Sequence, residues 1–429
     1  MHICCWLVVR RQPGASLGLL DSEAVKICLL ATTFPRHRGD VIPPFVLGLS
    51  RALVRAGASV SVLAPHDAQT VDHDAWDGVD VHRFHYWWPQ RAHGLCYGSG
   101  IPSNVRRRPW VAVQLPSLIA AFARTAVRHG GDADLYDAHW TFAGLAASLA
   151  SRRTGKPLVT HAYSAEFVPA VLRPINRRIV ASSASIICNS RFTEEIVRRQ
   201  TAPRKTHVIA SGVEPEKIAS PDLDVQAFRA ENGIPKDALF VFAVSRHVRR
   251  KGFRTLLDAV ASFRKSGRAI HLILGGDGPE RAALQAQVME LGLSSCASLP
   301  GFMPDDELAR TMRAADVLVM PSIMDASGDT EGLGVPLAEA MANDTAVVGS
   351  EIGGIKDIVQ HEQNGLLCAP GDSAALAAAL RRLQDEPALV QALVEGGKEQ
   401  VAGALSWGHL AQRTLAVFED ALRESRTAA

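Results

Sequence analysis

Two glutamates eight positions apart, Glu331 and Glu339, bracket the glycine-broken run Gly332-Leu333-Gly334-Val335-Pro336. A carboxylate only accepts hydrogen bonds and repels phosphate, so the pair suits neutral hydroxyls. The stretch between them suits the opposite ligand. Val335-Pro336 reads as a helix start, where proline loses no needed N–H, and the apolar run 336–341 continues it. Unbonded amides at such a start, with the positive end of the helix behind them, accept phosphate or sugar oxygens. Phosphate-binding amides flanked by hydroxyl-binding carboxylates describe a seat for a sugar nucleotide. Glu339 lies in Leu337-Ala338-Glu339-Ala340-Met341-Ala342, where a solvated face has little room.

Two further groups could do chemistry. Arg246 and Lys251-Gly252 follow an apolar strand over 239–245 and precede a helix over 253–263. Cations there are placed for a diphosphate by charge and dipole together. His139 and His161 each stand just past a strand, over 135–138 and 157–160. In a parallel sheet such positions face the cleft. Gly39 lies in a turn-rich loop after the strand 26–32. The run Gly275-Gly276-Asp277-Gly278-Pro279 fails as a dinucleotide fingerprint, because position 281 is Arg281. It reads as a tight strand-to-helix turn.

These groups need a frame that gathers strand ends. The strand 26–32, the loop with Gly39, a helix over 44–56 and the strand 60–64 form one strand–loop–helix–strand unit. The helix puts Phe45, Leu49, Ala52 and Leu53 on one face and ends at Gly57. The same rhythm runs through both halves of the chain. Its 429 residues suffice for two domains, and 47% hydrophobic with 21% charged residues suffices for two cores. The reading is α/β: an N-terminal domain over 25–214, a linker over 215–224, a C-terminal domain over 225–405 and a final helical segment over 406–429. Residues 1–24 read as a disordered extension whose charges follow its apolar run, the wrong order for a secretory signal. No apolar run approaches bilayer length. The formal net charge of +2 makes no global case for nucleic acid, and none is expected as a partner. Seven dispersed cysteines read as reduced thiols in the cytoplasm. The aromatic, arginine-rich stretch 86–110 stays open between an acceptor-gripping loop, a contact with anionic lipid on the inner membrane face, and a solvated excursion.

The run Glu331–Glu339 strongly resembles the donor-site motif of family-4 retaining glycosyltransferases, a Glu–seven residues–Glu pattern with glycines after the first Glu. The resemblance covers the chain from about Val25 to Leu422. It implies the GT-B fold, two facing Rossmann-like doubly wound domains with an interdomain cleft. The final helix then crosses back to the first, acceptor-binding domain, and the second domain binds the nucleotide sugar. By resemblance Glu331 contacts the donor sugar and Glu339 the ribose. Arg246 and Lys251 neutralise the leaving diphosphate, with the amides of Gly332, Leu333 and Gly334. His161 approaches the reacting centre, Phe302 lies against the base, and Gly39 lines the acceptor pocket. The chain departs from the family in two of these places. Asp40 stands where a second glycine is common, and His-Ala-Tyr-Ser-Ala-Glu replaces His-Gly-Ser-Asp, leaving Glu166 as the candidate partner carboxylate.

The implied activity is a metal-independent hexosyl transfer, with retention, from a UDP- or GDP-sugar to an acceptor hydroxyl. The acceptor is a lipid-linked glycan or a small molecule, in polysaccharide, glycolipid or glycosylated-metabolite biosynthesis. No cofactor is expected, and no Asp-x-Asp motif is picked out to hold a metal. Two alternatives remain: a sugar-nucleotide epimerase of the same architecture, and a non-catalytic nucleotide-sugar-binding module.

Overall fold

The computed structural model describes residues 24–37, 40, 45–98, 100–326 and 328–428. Gly39 and, apart from Ala24, the N-terminal extension lie outside the described residues. Two sheets form the frame. The first contains β1 (Lys26–Ala31), β2 (Ser59–Pro65), β3 (His73–Trp76), β4 (Val79–Phe84), β5 (Leu135–His139), β6 (Leu158–Ala162), β7 (Ser185–Cys188) and β8 (Thr206–Val208), in the order β3-β4-β2-β1-β5-β6-β7-β8. The second contains β9 (Leu239–Val244), β10 (Ile270–Gly275), β11 (Ala297–Gly301), β12 (Val317–Met320), β13 (Ala346–Ser350) and β14 (Leu366–Cys368), in the order β11-β10-β9-β12-β13-β14. Every pairing is parallel except β3 with β4. Helices cover both faces, so central strands such as β9 (LFVFAV) and β12 (VLVM) read as unbroken apolar runs. Ile27 to Ala31 are all 1% exposed or less.

Each sheet reverses its strand order once, between β1 and β5 in the first and between β9 and β12 in the second. Loops leaving the two strands of such a pair diverge and leave a crevice at their carboxyl ends. The loops that follow β9 and β12 carry Arg246, Lys251 and Glu331.

The final helix, Trp407–Ala428, buries Leu410, Ala411, Val417, Phe418 and Ala421 in the core of the first sheet. Lys205 pairs with its Asp420 at 2.5 Å. Trp407, at its start, lies so close to Gly48 and Gly212 that a Cβ at either would come within 2.7 Å of the indole.

Four sequence readings need correction. His139 and His161 are the last or next-to-last residues of β5 and β6, not residues beyond them. Three helices follow β14, where the sequence analysis marks out only the final segment over 406–429: Ser373–Asp385, Pro387–Ala402 and Trp407–Ala428. The short edge strand β3 has no strong apolar alternation and escaped notice. One helical segment, Pro109–His129, has the length and mean hydropathy (1.4) to cross a bilayer. Its Leu118, Phe122 and Ala126 are buried, and Phe122 packs on Phe84 of β4 with ring centroids 4.5 Å apart.

Candidate functional site

The strand reversal of the second sheet is where the charged groups meet. Beyond β9 the chain makes a short 3-10 turn, Arg249–Lys251, and ends it at Gly252 with φ of 66°. Only glycine tolerates this place, because a Cβ would also stand 1.8 Å from the Pro321 carbonyl oxygen just past β12. The two loops are stitched together there. Ile323 donates its amide to the Arg250 carbonyl at 2.8 Å, and Arg250 Nη1 donates to the Thr330 carbonyl at 3.0 Å. The result is a direct ion pair between Lys251 Nζ and Glu331 Oε2. Both side chains are largely buried, 9% and 13% exposed. Burial lowers the Lys251 pKa against the opposing pull of Glu331.

From Glu331 the chain runs through Gly332-Leu333-Gly334 into the helix Val335–Ala342, which starts with proline in its first turn and Gly334 at φ of 93° as its cap. The amides of Gly332, Leu333 and Gly334 make no main-chain hydrogen bond among the described residues. Gly353 and Gly354, in the loop after β13, cradle this run. A Cβ on either would lie 2.2 Å from the Glu331 carbonyl oxygen or 2.1 Å from that of Gly332, and the Gly354 amide donates to the Glu331 carbonyl at 2.9 Å. The sequence reading passed over these two glycines as part of the core; their signal was an adjacent Gly-Gly directly after a buried strand.

Glu339 lies on the second turn of the helix. Its carboxylate has no hydrogen-bond partner among the described residues, and burial raises its pKa, offset in part by Lys217. Asn343, one turn on, accepts from the Ala219 amide at 2.8 Å and donates to the Lys217 carbonyl at 2.8 Å. It thereby fastens the segment between the sheets to the helix that carries Glu339. Arg246 is exposed and unpaired among the described residues. Phe302 follows β11 and is 66% exposed.

Across the cleft stands the carboxyl end of β6. A Cβ at Gly332 would lie 2.7 Å from the Ser164 hydroxyl, three residues past His161, so the loop that carries Glu331 faces the end of the strand that carries His161. His161 and His139 stack with centroids 4.1 Å apart over one carboxylate, Asp137, fully buried on β5. Asp137 Oδ1 is 3.2 Å from His161 Nε2, and Oδ2 is 3.4 Å from His139 Nε2. The two imidazoles overcome the burial that would raise the Asp137 pKa and hold it below the ordinary value. His139 also contacts the Tyr163 hydroxyl through Nδ1 at 2.8 Å, and burial depresses its pKa to about 4. The partner carboxylate of His161 is therefore Asp137 and not Glu166. Glu166 instead accepts the Thr141 amide at 2.6 Å, and with its carboxyl group withdrawn from water its pKa rises to about 8. Alternation along β5 puts Asp137 and His139 on one face, a signal the sequence carried and the reading did not use. Trp140, at φ of 70°, stacks on Tyr163 and meets Phe45 edge-on, walling this end of the cleft with rings.

A separate polar cavity of about 310 Å³ opens in the first lobe. Arg36, Asp67 and Tyr86, from the ends of β1, β2 and β4, line it with Tyr97, Asn104 and Arg107. Asp40, where the family's second glycine would be, holds Arg36 by two hydrogen bonds of 2.8 and 2.9 Å.

Among the described residues, three side-chain groups bring possible metal ligands within 4.8 Å of one another: Asp137/His139/His161, His66/His85/His93 and His73/Asp80/His82. Asp-x-Asp spacings also occur, contrary to the sequence reading, at Asp72/Asp74, Asp132/Asp134 and Asp222/Asp224. None of the three lies in the loops after β6, β9 or β12. Asp134 accepts the Lys26 amide, and Asp224 caps the helix Val225–Glu231.

Two facing doubly wound sheets, with a charged crevice on one and a histidine-capped strand end on the other, define a GT-B glycosyltransferase. The chain matches Glycosyltransferase Family 4 over residues 42–217 and Glycosyl transferases group 1 over residues 224–400. It belongs to the family-4 glycosyltransferases. It is 30% identical over 337 residues to 2-deoxystreptamine glucosyltransferase of Streptomyces kanamyceticus, covering 74% of this chain and 84% of that one. It is 28% identical over 420 residues to D-inositol 3-phosphate glycosyltransferase of a Nocardioides species, covering 90% and 86%. Among solved structures, sucrose-phosphate synthase from Thermosynechococcus elongatus superposes with a TM-score of 0.74 at 24% identity, covering 94% of this chain and all of that one. Anabaena HepE in complex with UDP-glucose does so at 0.68 and 20%, covering 92% and 99%.

Proposed function

We propose that the protein transfers a hexose, with retention, from a nucleoside-diphosphate sugar to an acceptor hydroxyl. The observation that carries this reading is the Lys251–Glu331 ion pair beside the free amides of Gly332–Gly334. The pair holds a cation and a carboxylate at the strand reversal of the second sheet. A diphosphate draws Lys251 and Arg246 to its oxygens, and Glu331 is released to hydroxyls of the transferred sugar. Glu339 then takes the ribose hydroxyls in place of water, and Phe302 offers a ring to the base. Charge growing on the departing phosphate meets fixed cations and amides, which lowers the barrier.

Retention fits a front-face route, in which the departing phosphate oxygen takes the acceptor proton. A double displacement needs a carboxylate free to attack beneath the sugar. On the first lobe Asp137 is sealed under two imidazoles and Glu166 is turned to the Thr141 amide. His161, steadied by Asp137, is left to hydrogen-bond the sugar. The cavity beside Arg36 and Arg107 is the acceptor seat. On this reading residues 86–110 are the acceptor-gripping loop, the first of the three alternatives.

A panel of UDP- and GDP-sugars with lipid-linked and small-molecule acceptors, scored by nucleotide release and by the anomeric configuration of the product, tests the proposal. One donor turned over with retention, and activity that survives EDTA, are the expected results. Donor binding without turnover favours a binding module. Activity lost to EDTA and restored by a divalent ion overturns the metal-free reading and points to Asp137, His139 and His161 as ligands.

A further inference from the structure

The far edge of the first sheet carries chemistry that the transfer reaction does not use. β3 and β4 run antiparallel, with His73 directly opposite His82. Asp80 stands two residues before His82 and so projects from the same face. Directly paired and diagonal side chains on one face of such a ribbon lie within reach of each other. Here they converge: His73 Nε2 is 2.5 Å from Asp80 Oδ1, and His82 Nε2 is 2.7 Å from Asp80 Oδ2. His129 closes the group from above. It ends the helix Leu115–His129, and its ring centroid lies 4.4 Å from that of His82.

We propose that His73, Asp80 and His82 form a structural site for a divalent transition-metal ion of the zinc type, with His129 or water as the fourth ligand. Imidazole and carboxylate are the ligands such an ion takes in a tetrahedral shell. At zinc's bond lengths of about 2.0–2.1 Å, neighbouring ligand atoms stand about 3.3 Å apart. The side chains must therefore spread by well under one ångström from their present contacts. They have room to do so, because the His73 and Asp80 side chains are 60% and 46% exposed. The ion would replace the imidazole protons that now face the carboxylate. It would clamp an edge strand of only four residues to its neighbour and to the helix above. The site sits near the amino end of β4, at the end of the sheet away from the cleft, so it has no part in transfer.

The other two groups are less suited. Both nitrogens of His93 are already engaged, Nδ1 at 3.2 Å from the His66 carbonyl and Nε2 at 3.0 Å from that of Trp87. Asp137, His139 and His161 belong to the cleft, and His139 Nδ1 is held by Tyr163.

Chelator-stripped full-length protein titrated calorimetrically with Zn²⁺, and with Co²⁺ followed in the visible spectrum, decides the matter. One equivalent should bind, the Co²⁺ spectrum should show tetrahedral N/O ligation, and the melting temperature should rise with Zn²⁺. His73→Ala and Asp80→Asn, both at exposed positions, should each weaken binding by roughly tenfold or more. His82→Ala should do the same; if it fails to fold, the first two variants carry the test. His93→Ala should leave binding unchanged. Transfer activity measured separately should be the same in stripped and loaded protein, so failure of this proposal is distinct from failure of the metal-free transfer reading. No binding below millimolar Zn²⁺, or binding that persists in His73→Ala and Asp80→Asn, overturns the site.

Discussion

The two strand reversals are built from the same fold and furnished differently. At β9/β12 the loops are tied to one another through Gly252, and Lys251 and Glu331 on them neutralise each other. Beside the β1/β5 reversal, the ends of β5 and β6 carry stacked imidazoles over one hidden carboxylate, and the aromatic stretch after β4 lines a polar cavity. On the proposed function, the difference follows from what each would hold. A diphosphate is highly charged, so its site can be preset by backbone amides and fixed cations. A sugar ring and an acceptor hydroxyl are neutral, so their site needs shape and directional hydrogen bonds.

The comparison breaks most visibly at Glu331. Glu331→Ala should abolish transfer, and it should also cost about 3 kcal/mol of stability, because it strands the largely buried Lys251 without its partner. Lys251→Ala should lower kcat by roughly 10²–10³ and raise the donor KM. Steady-state kinetics with denaturant unfolding checks both. Near-normal turnover in either variant would remove the ion pair from the donor site.

Gly252→Ala tests the stitching itself. The positive φ and the 1.8 Å approach to Pro321 give a cost well above that of an ordinary strained position, roughly 1–3 kcal/mol. Transfer should fall with it, since Lys251 moves. Gly155→Ala is the matched control in the first lobe. It also has positive φ, 75°, but open space around it, so it should lose about 1 kcal/mol and keep its activity.

The same contrast explains how much was legible. Glu331 and Lys251, which the structure brings together, can be singled out from the sequence because each lies within a few residues of a strand end or helix start, and local spacing fixes its direction; the same spacing nominates Glu339 and Arg246. The strand–helix order was legible for the same reason. What escaped depends on contacts between segments distant in the chain. Asp137 acquires its meaning only when β6 brings His161 alongside β5. Gly353-Gly354 becomes a cradle only when β13 sets it beneath Glu331. Asn343 reads as a helix end until the segment at Lys217 is seen to cross it. β3 has four residues and one buried side chain, too little for periodicity to register.

A smaller effect sharpens the role of the first lobe. Asp137→Asn keeps the shape and removes the charge that orients both imidazoles. Transfer should fall by up to about a hundredfold through misplacement of His161, with donor affinity unchanged. A kcat loss without a KM change would mark Asp137 as a positioning residue. Loss of donor binding would instead tie the first lobe to the nucleotide.

The last effect is on stability against pH rather than on transfer, and it lies within the first lobe. Glu166 has a folded pKa near 8 against an ordinary 4.5, so between these values the folded state keeps a proton that the unfolded state has lost. Stability must therefore fall as pH rises from about 4.5 through 8. His139 acts in the opposite sense. Its folded pKa near 4, against 6.5, means the unfolded state takes up a proton first as pH falls, so stability drops from about pH 6.5 toward 4. Together they give a maximum in the mildly acidic range. Glu166→Gln preserves the oxygen that accepts the Thr141 amide and removes the ionisation, so it should reduce the alkaline limb to the part that Glu214, which burial also raises to about 8, contributes, and leave the acid limb in place. Denaturant unfolding at a series of pH values reads this directly. An unchanged alkaline limb would mean that Glu166 ionises freely in the folded protein, and that water reaches the strand end on which the imidazole stack depends.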